Sequence, residues 1–540
     1  MLERILHLWS YKIFQAIIAG ICIGIGLLIP SFWFIAFFGL FIFIRFVIYE
    51  QRIQALIAPS YIVGLLASLF TLSAVTLGVF PFDWFGINTF FFQALAVGVT
   101  CFLAAAVLAS SYLLFAIAVF YLKTNTWYDI FLLPSLWLLG EWIDIFLLFI
   151  VQFGPGSFGG PHFTMGWIGY VLASDSIFLQ FAWFGGVYLL SFLAISLVVL
   201  FIHFCDASHT KTKQIYGLVL LIIFSLWAIG HVLKYTHVIF TDTPSSKTLS
   251  VAVVSRYMPP QYVQSIDFQR NRFQEMLQLI APLRNIDLLV FAENTTFLRT
   301  IRIDNLQLVR DELLLIGRDH HSPAILDSED VKTTGDVLHS QSILYRDGTE
   351  ENFAQKQFLL PFGEYIPYLY RSVFMLMHNS TLLRTIERVR GYQPGINNAE
   401  ATIKGVVIVN RFCDEVMSPE LFRTQVADGA QILVNMSSLS WFHGSVSMYD
   451  QMLRIAKVRA VENGRFLVQS GNMAPAFILN QYGDVVRESV WGHRQVVLYD
   501  VPARTNMTPY VLFGHWFIVL CCLMIALRFL FQTNKIKKIV

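Results

Sequence analysis

The sequence predicts a multi-pass α-helical membrane bundle followed by an α/β domain and one C-terminal transmembrane helix. Three observations predict it. Hydrophobic residues make up 56% of the 540 and charged residues only 14%, against about 25% charged in soluble domains. Apolar blocks fill the chain up to residue 235, and several reach the roughly 20 residues of helix that cross the hydrocarbon core. Residues 245–507 then have ordinary soluble composition, before a last apolar block and a basic tail. The chain therefore divides into a bundle of seven spans at 1–240, a domain at 245–507, and a C-terminal helix with a basic tail at 508–540.

The expected spans are 12–29, 31–49, 55–80, 89–122, 129–151, 176–203, 215–234 and 510–531. Only Pro30 and Ser31 separate the first two, which reads as a tight hairpin. The fourth is long enough to require tilt. The first span follows basic residues without a small-residue cleavage site, so it reads as a retained anchor. Arg4, Lys12, Arg45, Arg52, Lys123, Lys211, Lys213, Lys535, Lys537 and Lys538 all fall on one side of this layout. The opposite loops, FPFDWFG (80–86) and 152–175, contain no Lys or Arg. Because basic residues concentrate in cytoplasmic loops, the soluble domain is expected on the non-cytoplasmic side.

In that domain, short β-branched runs alternate with helical patterns, as in an α/β fold. Strands are expected at 248–255, 286–293, 340–347, 402–412, 430–438, 465–472 and 475–486. Several are apolar almost throughout, which suits strands buried on both faces. SMYDQMLRIAKVRAVENG (447–464) reads as an amphipathic helix stopped by Gly464.

Composition also excludes. With 38 basic and 36 acidic residues, the chain has no basic stripe to meet nucleic-acid phosphates. The cysteines are Cys22, Cys101, Cys205, Cys413, Cys521 and Cys522, and five of them lie in or beside apolar runs. They form neither a disulfide framework nor a CxxC metal pattern.

Three residues at or just beyond strand ends carry the chemistry: Glu293 in DLLVFAE, Lys356 in FAQKQFLLPFGEYIP and Cys413 in GVVIVNRFC. Reactive groups in α/β domains cluster at the carboxyl ends of strands. An unpaired thiol in an oxidising compartment is exposed to oxidation, and keeping one there suggests a use. Asp414 and Glu415 follow it directly and would repel a thiolate, so a cation has to come from elsewhere in the fold. A glutamate acting as general base and acid, with a lysine holding an oxyanion, would complete acyl transfer through a thioester. Each residue also has a plainer reading: Glu293 as a helix cap, Lys356 as a solvated lysine, Cys413 as a small core residue.

With these residues the sequence resembles the nitrilase (carbon–nitrogen hydrolase) superfamily, and within it the apolipoprotein N-acyltransferase family of the bacterial inner membrane. KQFLLPFGEYIP (356–367), FAEN (291–294), FCDE (412–415), WFHGS (441–445), AKVRAVENGRF (456–466), LPSLWLLGEW (133–142) and FGGVYLLSFL (184–193) carry the resemblance in order. It implies a nitrilase-like αββα sandwich. Glu293 would be the base, Lys356 the oxyanion-stabilising cation and Cys413 the nucleophile, with Glu364 and Glu415 supporting. It further implies a phospholipid acyl donor, a diacylated apolipoprotein acceptor, no metal or organic cofactor, and a catalytic domain on the periplasmic side. The competing readings are a membrane-tethered amidase or an acyltransferase with another amine acceptor, and a noncatalytic paralogue serving as a binding module. Departures from the family pattern surround the triad: Asp414 in place of a tyrosine, Ser438 and Leu439 in place of Asn and Asp, SGNMAPAF (470–477) without its Asn–Gly pair, and no tryptophan in SRYMPPQYVQ (255–264). Glu141, inside the fifth span, is costly in lipid and reads as functional or packing, and Ile143 and Asp144 follow where the family often has arginine. The basic-free segment 154–170 could edge a substrate entrance, its aromatics suiting the interface.

Overall fold

The apolar blocks form helices because only a helix satisfies every backbone polar group within one segment in lipid. The computed structural model describes all residues except 1, 77–88, 158–161, 208–209, 237–246, 259–265, 305–306, 319–320, 334–336, 347, 362, 377–390, 396–399 and 538–540. The expected loop at 80–86 and the start of the expected 255–264 departure region's tail, from 259 on, lie outside the described residues. The bundle contains α1 (Leu2–Leu28), α2 (Trp33–Tyr49), α3 (Ile53–Thr76), α4 (Phe90–Leu122), α5 (Asp129–Gln152), a single turn α6 (Gly169–Leu172), α7 (Ala182–Asp206) and α8 (Thr210–Thr236). Among the described residues, six segments are long and apolar enough to cross a membrane, the last being Phe178–Asp206. The seventh and eighth expected spans fall in α8 and in the C-terminal helix, where the described apolar stretches are Thr212–Ser225 and Trp516–Leu530. Lys234, near the end of α8, pairs with Asp484 of the α/β domain.

Charges sort to the two ends of the bundle. Lys12 pairs with Glu50, Arg45 with Asp206, and Lys123 donates to the Ile48 carbonyl, all at one end. At the other end, Arg454 donates to the carbonyls of Gly26 and Leu27, Gln451 to that of Thr71, and Tyr365 to that of Gln152. The domain therefore sits on the end away from Lys12, Arg45 and Lys123.

The domain runs β1 (Thr248–Arg256), α9 (Ile266–Ile280), β2 (Leu288–Val290), α10 (Phe297–Asp304), α11 (Gln307–Ile316), β3 (Ala324–Thr333), β4 (Val337–Arg346), β5 (Thr349–Gln355), α12 (Tyr368–Leu376), β6 (Glu400–Ile403), β7 (Val406–Phe412), α13 (Pro419–Ala427), β8 (Ile432–Met436), α14 (Val446–Asn463), β9 (Phe466–Asn472), β10 (Phe477–Leu479), β11 (Val485–Glu488) and β12 (Gln495–Pro502). The short α15 (Pro509–Phe513) and α16 (Trp516–Lys537) follow. One sheet has the order β5-β4-β3-β2-β1-β12 and the other β6-β7-β8-β9-β10-β11, joined where Ser255 and Arg256 of β1 meet Gly471 and Asn472 of β9.

Alternation along the strands makes the four layers. Val251, Val253, Leu288 and Val290 of the first sheet share a core with Ile408, Ile432, Val434 and Val468 of the second. Their neighbours Ala252, Val254, Leu289 and Phe291 face outward onto α9, α10 and α11. On the far side Val409, Leu433 and Leu467 pack on α13 and α14, and that same cluster continues into Tyr188 and Leu190 of α7. The αββα sandwich is therefore borne out, with α14 wedged between sheet and bundle.

Candidate active site

The parallel strands β1, β2 and β3 on one side and β7, β8 and β9 on the other end at the same edge. Glu293 leaves that edge after β2. Its turn is fixed by Arg256, whose Nη2 donates to the carbonyls of Glu293 (3.1 Å) and Asn294 (3.0 Å), and by Ser328 Oγ, which accepts from the Asn294 amide at 3.1 Å. Glu293 does not cap the helix that follows; Asp327 Oδ2 accepts from the Leu298 amide at 2.8 Å. Its side chain is free for other work.

Lys356 directly follows β5, its amide donating to the Ser340 carbonyl at 2.9 Å. It is 3% exposed, so it is no solvated lysine. Its Nζ lies 3.2 Å from Glu293 Oε1, 2.9 Å from Glu364 Oε1 and 2.9 Å from Asp414 Oδ1. Glu364 is itself held in place, since its Oε2 accepts from the Leu360 amide at 2.6 Å.

Cys413 opens the turn after β7 with φ of +39°. A non-glycine residue in this region is sparsely populated and costs of order 1–3 kcal/mol unless its surroundings hold it. Glu415 supplies the hold. Fully buried, it accepts from the amides of Phe412 (2.9 Å), Gln357 (2.7 Å) and Phe358 (3.1 Å), fastening the cysteine turn to the lysine segment. Asn435 Nδ2 donates to the Cys413 carbonyl at 3.2 Å, while Ser437 Oγ and the Ser438 carbonyl flank the sulfur at 3.7 and 3.5 Å.

Electrostatics follow from burial. Desolvation, then the charge of Glu293, pushes the Cys413 thiol well above its ordinary value, against the pull of Lys356. Desolvation also raises Glu293 to about 8, with Lys356 opposing and Glu364 and Asp414 adding to the rise. Asp414 rises to about 7 for the same first reason. For Lys356, burial opposes the charge, yet its carboxylate neighbours, Asp414 foremost, outweigh that and hold it well above the usual lysine value. The arrangement is a neutral thiol, a carboxylate able to take its proton, and a fixed cation beside them. That set can attack a carbonyl and hold the resulting oxyanion.

All five residues expected from the sequence thus meet at one edge. Sequence reasoning missed two others. Asp414 is 2% exposed and grips Lys356 instead of simply standing beside the sulfur. Arg256 is buried at the end of β1, where a charged residue closing an apolar strand was the available signal. The departures also fit together: Leu439 donates its amide to the Asn472 carbonyl at 2.8 Å, and Asn472 Nδ2 donates to Ser438 Oγ at 3.1 Å.

The bundle reaches the site through residues 162–170. His162 Nδ1 lies 2.9 Å from Ser418 Oγ, and Thr164 Oγ1 donates to the Met417 carbonyl at 2.6 Å, both on the cysteine turn. Trp167 and Tyr170 of this segment are buried, not placed as interfacial anchors. Packing explains this: Trp167 lies against Tyr188 of α7. Glu141 stands apart from the triad and accepts from the Ile168 amide at 2.6 Å, anchoring the same segment from below. Among the described residues no group of three or more His, Cys, Asp or Glu is arranged to hold a metal ion.

Residues 267–510 match the carbon-nitrogen hydrolase family model. The chain is similar to an apolipoprotein N-acyltransferase of Chromobacterium violaceum, 24% identical over 72% of this chain and 70% of that one. It is also similar to one from Pseudomonas aeruginosa (strain LESB58), 25% identical over 62% of each chain. Among solved structures, an amidase from Nesterenkonia sp. aligns at 16% identity, covering 49% of this chain and 94% of that one with a TM-score of 0.33.

Proposed function

We propose that this multi-pass membrane protein, whose soluble domain is a carbon–nitrogen hydrolase domain, is an apolipoprotein N-acyltransferase that uses Glu293, Lys356 and Cys413. The observation that carries the reading is the convergence of these three side chains from separate strand ends, at the face of the domain that is fastened to the bundle. Two lipid substrates call for a site at that height above the bilayer.

In the first half-reaction Cys413 Sγ attacks an ester carbonyl of a phospholipid while Glu293 takes the thiol proton. The Lys356 ammonium offsets the charge that forms on the carbonyl oxygen. Collapse expels the lysophospholipid oxygen, which leaves with the proton from Glu293, and the acyl chain stays on Cys413 as a thioester. In the second half the amine of a diacylated lipoprotein cysteine attacks that thioester and passes a proton to Glu293. The amide product forms, and the departing thiolate recovers the proton. Glu364 and Glu415 support by holding the lysine and the cysteine turn. No step calls for a cofactor.

Localisation follows from the charge pattern. Lys12, Arg45 and Lys123 lie at the bundle end away from the domain, and the similar proteins are bacterial. In the bacterial inner membrane this arrangement sets the domain on the periplasmic side.

The test is transfer to an acceptor. Purified protein incubated with phospholipid and a synthetic diacylated lipopeptide is expected to yield the N-acylated peptide, detected by mass. If Cys413 becomes acylated while the peptide amine stays free and another amine is acylated, the acceptor assignment fails and the different-acceptor reading replaces it.

A further inference from the structure

Lys356 is surrounded by three carboxylates, Glu293, Glu364 and Asp414, each within 3.2 Å of its Nζ. One positive charge cannot balance three negative ones, so this buried cluster retains a proton or stays net anionic. Glu364 spends its second oxygen on the Leu360 amide. Glu415 spends both of its oxygens on backbone amides and makes no ion pair with Lys356. Arg256 faces the carbonyl of Glu293. Asp414 is different: 2% exposed, it touches Lys356, and its Oδ2 has no hydrogen-bond partner among the described residues. Burying a carboxylate this way is expensive unless it is paired, and Lys356 is the partner that pairs it.

We propose that Asp414 is a positioning residue for acyl transfer, which takes the third side of Lys356 and thereby keeps the mobile proton of the site shared among carboxylates beside the sulfur. The inference rests on the catalytic reading of Glu293, Lys356 and Cys413. Asp414 acts through Lys356, which it touches. The groups bearing on Asp414 are Lys356, Glu364, Glu415, Tyr365 and Cys413; those bearing on Glu293 are Lys356, Glu364, Arg256, Cys413 and Asp414 itself. Its charge opposes ionisation of both Glu293 and the Cys413 thiol. Neutralising it therefore moves both ionisations to lower pH.

The experiment measures the rate of iodoacetamide alkylation at Cys413 against pH, read on the Cys413 peptide by mass, in the full chain in detergent. It needs no acyl transfer, so it stands or falls separately from the proposed activity. For D414N the midpoint is expected to fall by about one pH unit, the scale on which a neighbouring like charge shifts a titration. D414E is expected to keep the parent midpoint. Where acyl transfer is measured as well, the acid limb of its profile moves in the same direction. D414S, smaller and also neutral, repeats the test if D414N fails to fold. Parent-like midpoints in D414N or D414S, with only the amplitude changed, would overturn the proposal and leave Asp414 a purely structural partner of Lys356.

Discussion

At the scale of single residues the account turns on who holds a proton. The folded site raises Glu293 to about 8, above the ordinary carboxylate range, chiefly through burial. The base form therefore grows as pH rises, and thioester formation is expected to increase with pH through about 8 in a single-turnover profile. The linkage sign is opposite for stability. The folded site binds this proton more tightly than the unfolded chain does, so the contribution of Glu293 to stability falls as pH climbs from the carboxylate range to about 8. Glu415 offers a different check. In Glu415→Gln the amide nitrogen can only donate, so at least one of the three backbone amides loses its acceptor at a cost of about 1–3 kcal/mol. Faster hydrogen exchange at Gln357, Phe358 or Phe412 is the expected readout. Residue types and order were legible for Glu293, Lys356 and Cys413, because the proposed acyl transfer needs those groups. The role of Asp414 was not: in sequence it reads as a charge next to the sulfur, standing in place of a tyrosine, and only the fold brings Lys356 to its carboxylate.

Elements were legible where their apolar period was clean. The run 447–464 became α14, stopped by Gly464 at φ of +63°. Run 402–412 instead split into β6 and β7, because Lys404 and Gly405, at φ of +48° and +75°, form a hairpin turn inside it. Run 475–486 split the same way into β10 and β11. Strands β3 and β5 escaped notice since AILDSEDVKT and TEENFAQ are polar; in β3 the buried Asp327 and Ser328 serve the turn and helix beyond Glu293. The double glycine of FGGVYLLSFL has a specific reason. Gly186 breaks α7 at φ of +64°, and a Cβ there would meet Tyr510 Cε2 at 2.6 Å and Glu462 Oε2 at 3.0 Å. Gly186→Ala is expected to destabilise the protein by more than the ~1 kcal/mol that separates these residues where both conformations are allowed, seen as a lower thermal midpoint in detergent. An unchanged midpoint would mean that the kink tolerates a side chain.

At the scale of the whole molecule, the domain and the bundle are one structure. A continuous apolar cluster runs from Leu433 and Leu467 of the second sheet through Met452 and Ile455 of α14 to Tyr188 and Leu190 of α7. Polar ties add direction: Arg454 caps the carbonyl end of α1, where a cation is favoured, and Thr164 reaches the cysteine turn. Hydropathy foretold the two parts and their order but not this docking, which depends on side chains distant in sequence. In the proposed reaction this docking sets Cys413 beside the bundle, where a lipid donor and a lipoprotein amine would both arrive. The proposed reaction requires Cys413 to carry the acyl chain. Intact-mass measurement of the purified protein after incubation with a phospholipid of defined chain length is the most direct test. The account predicts one added acyl group on Cys413, released by hydroxylamine and absent from Cys413→Ala. No adduct on the parent protein, or the same adduct on Cys413→Ala, would contradict it.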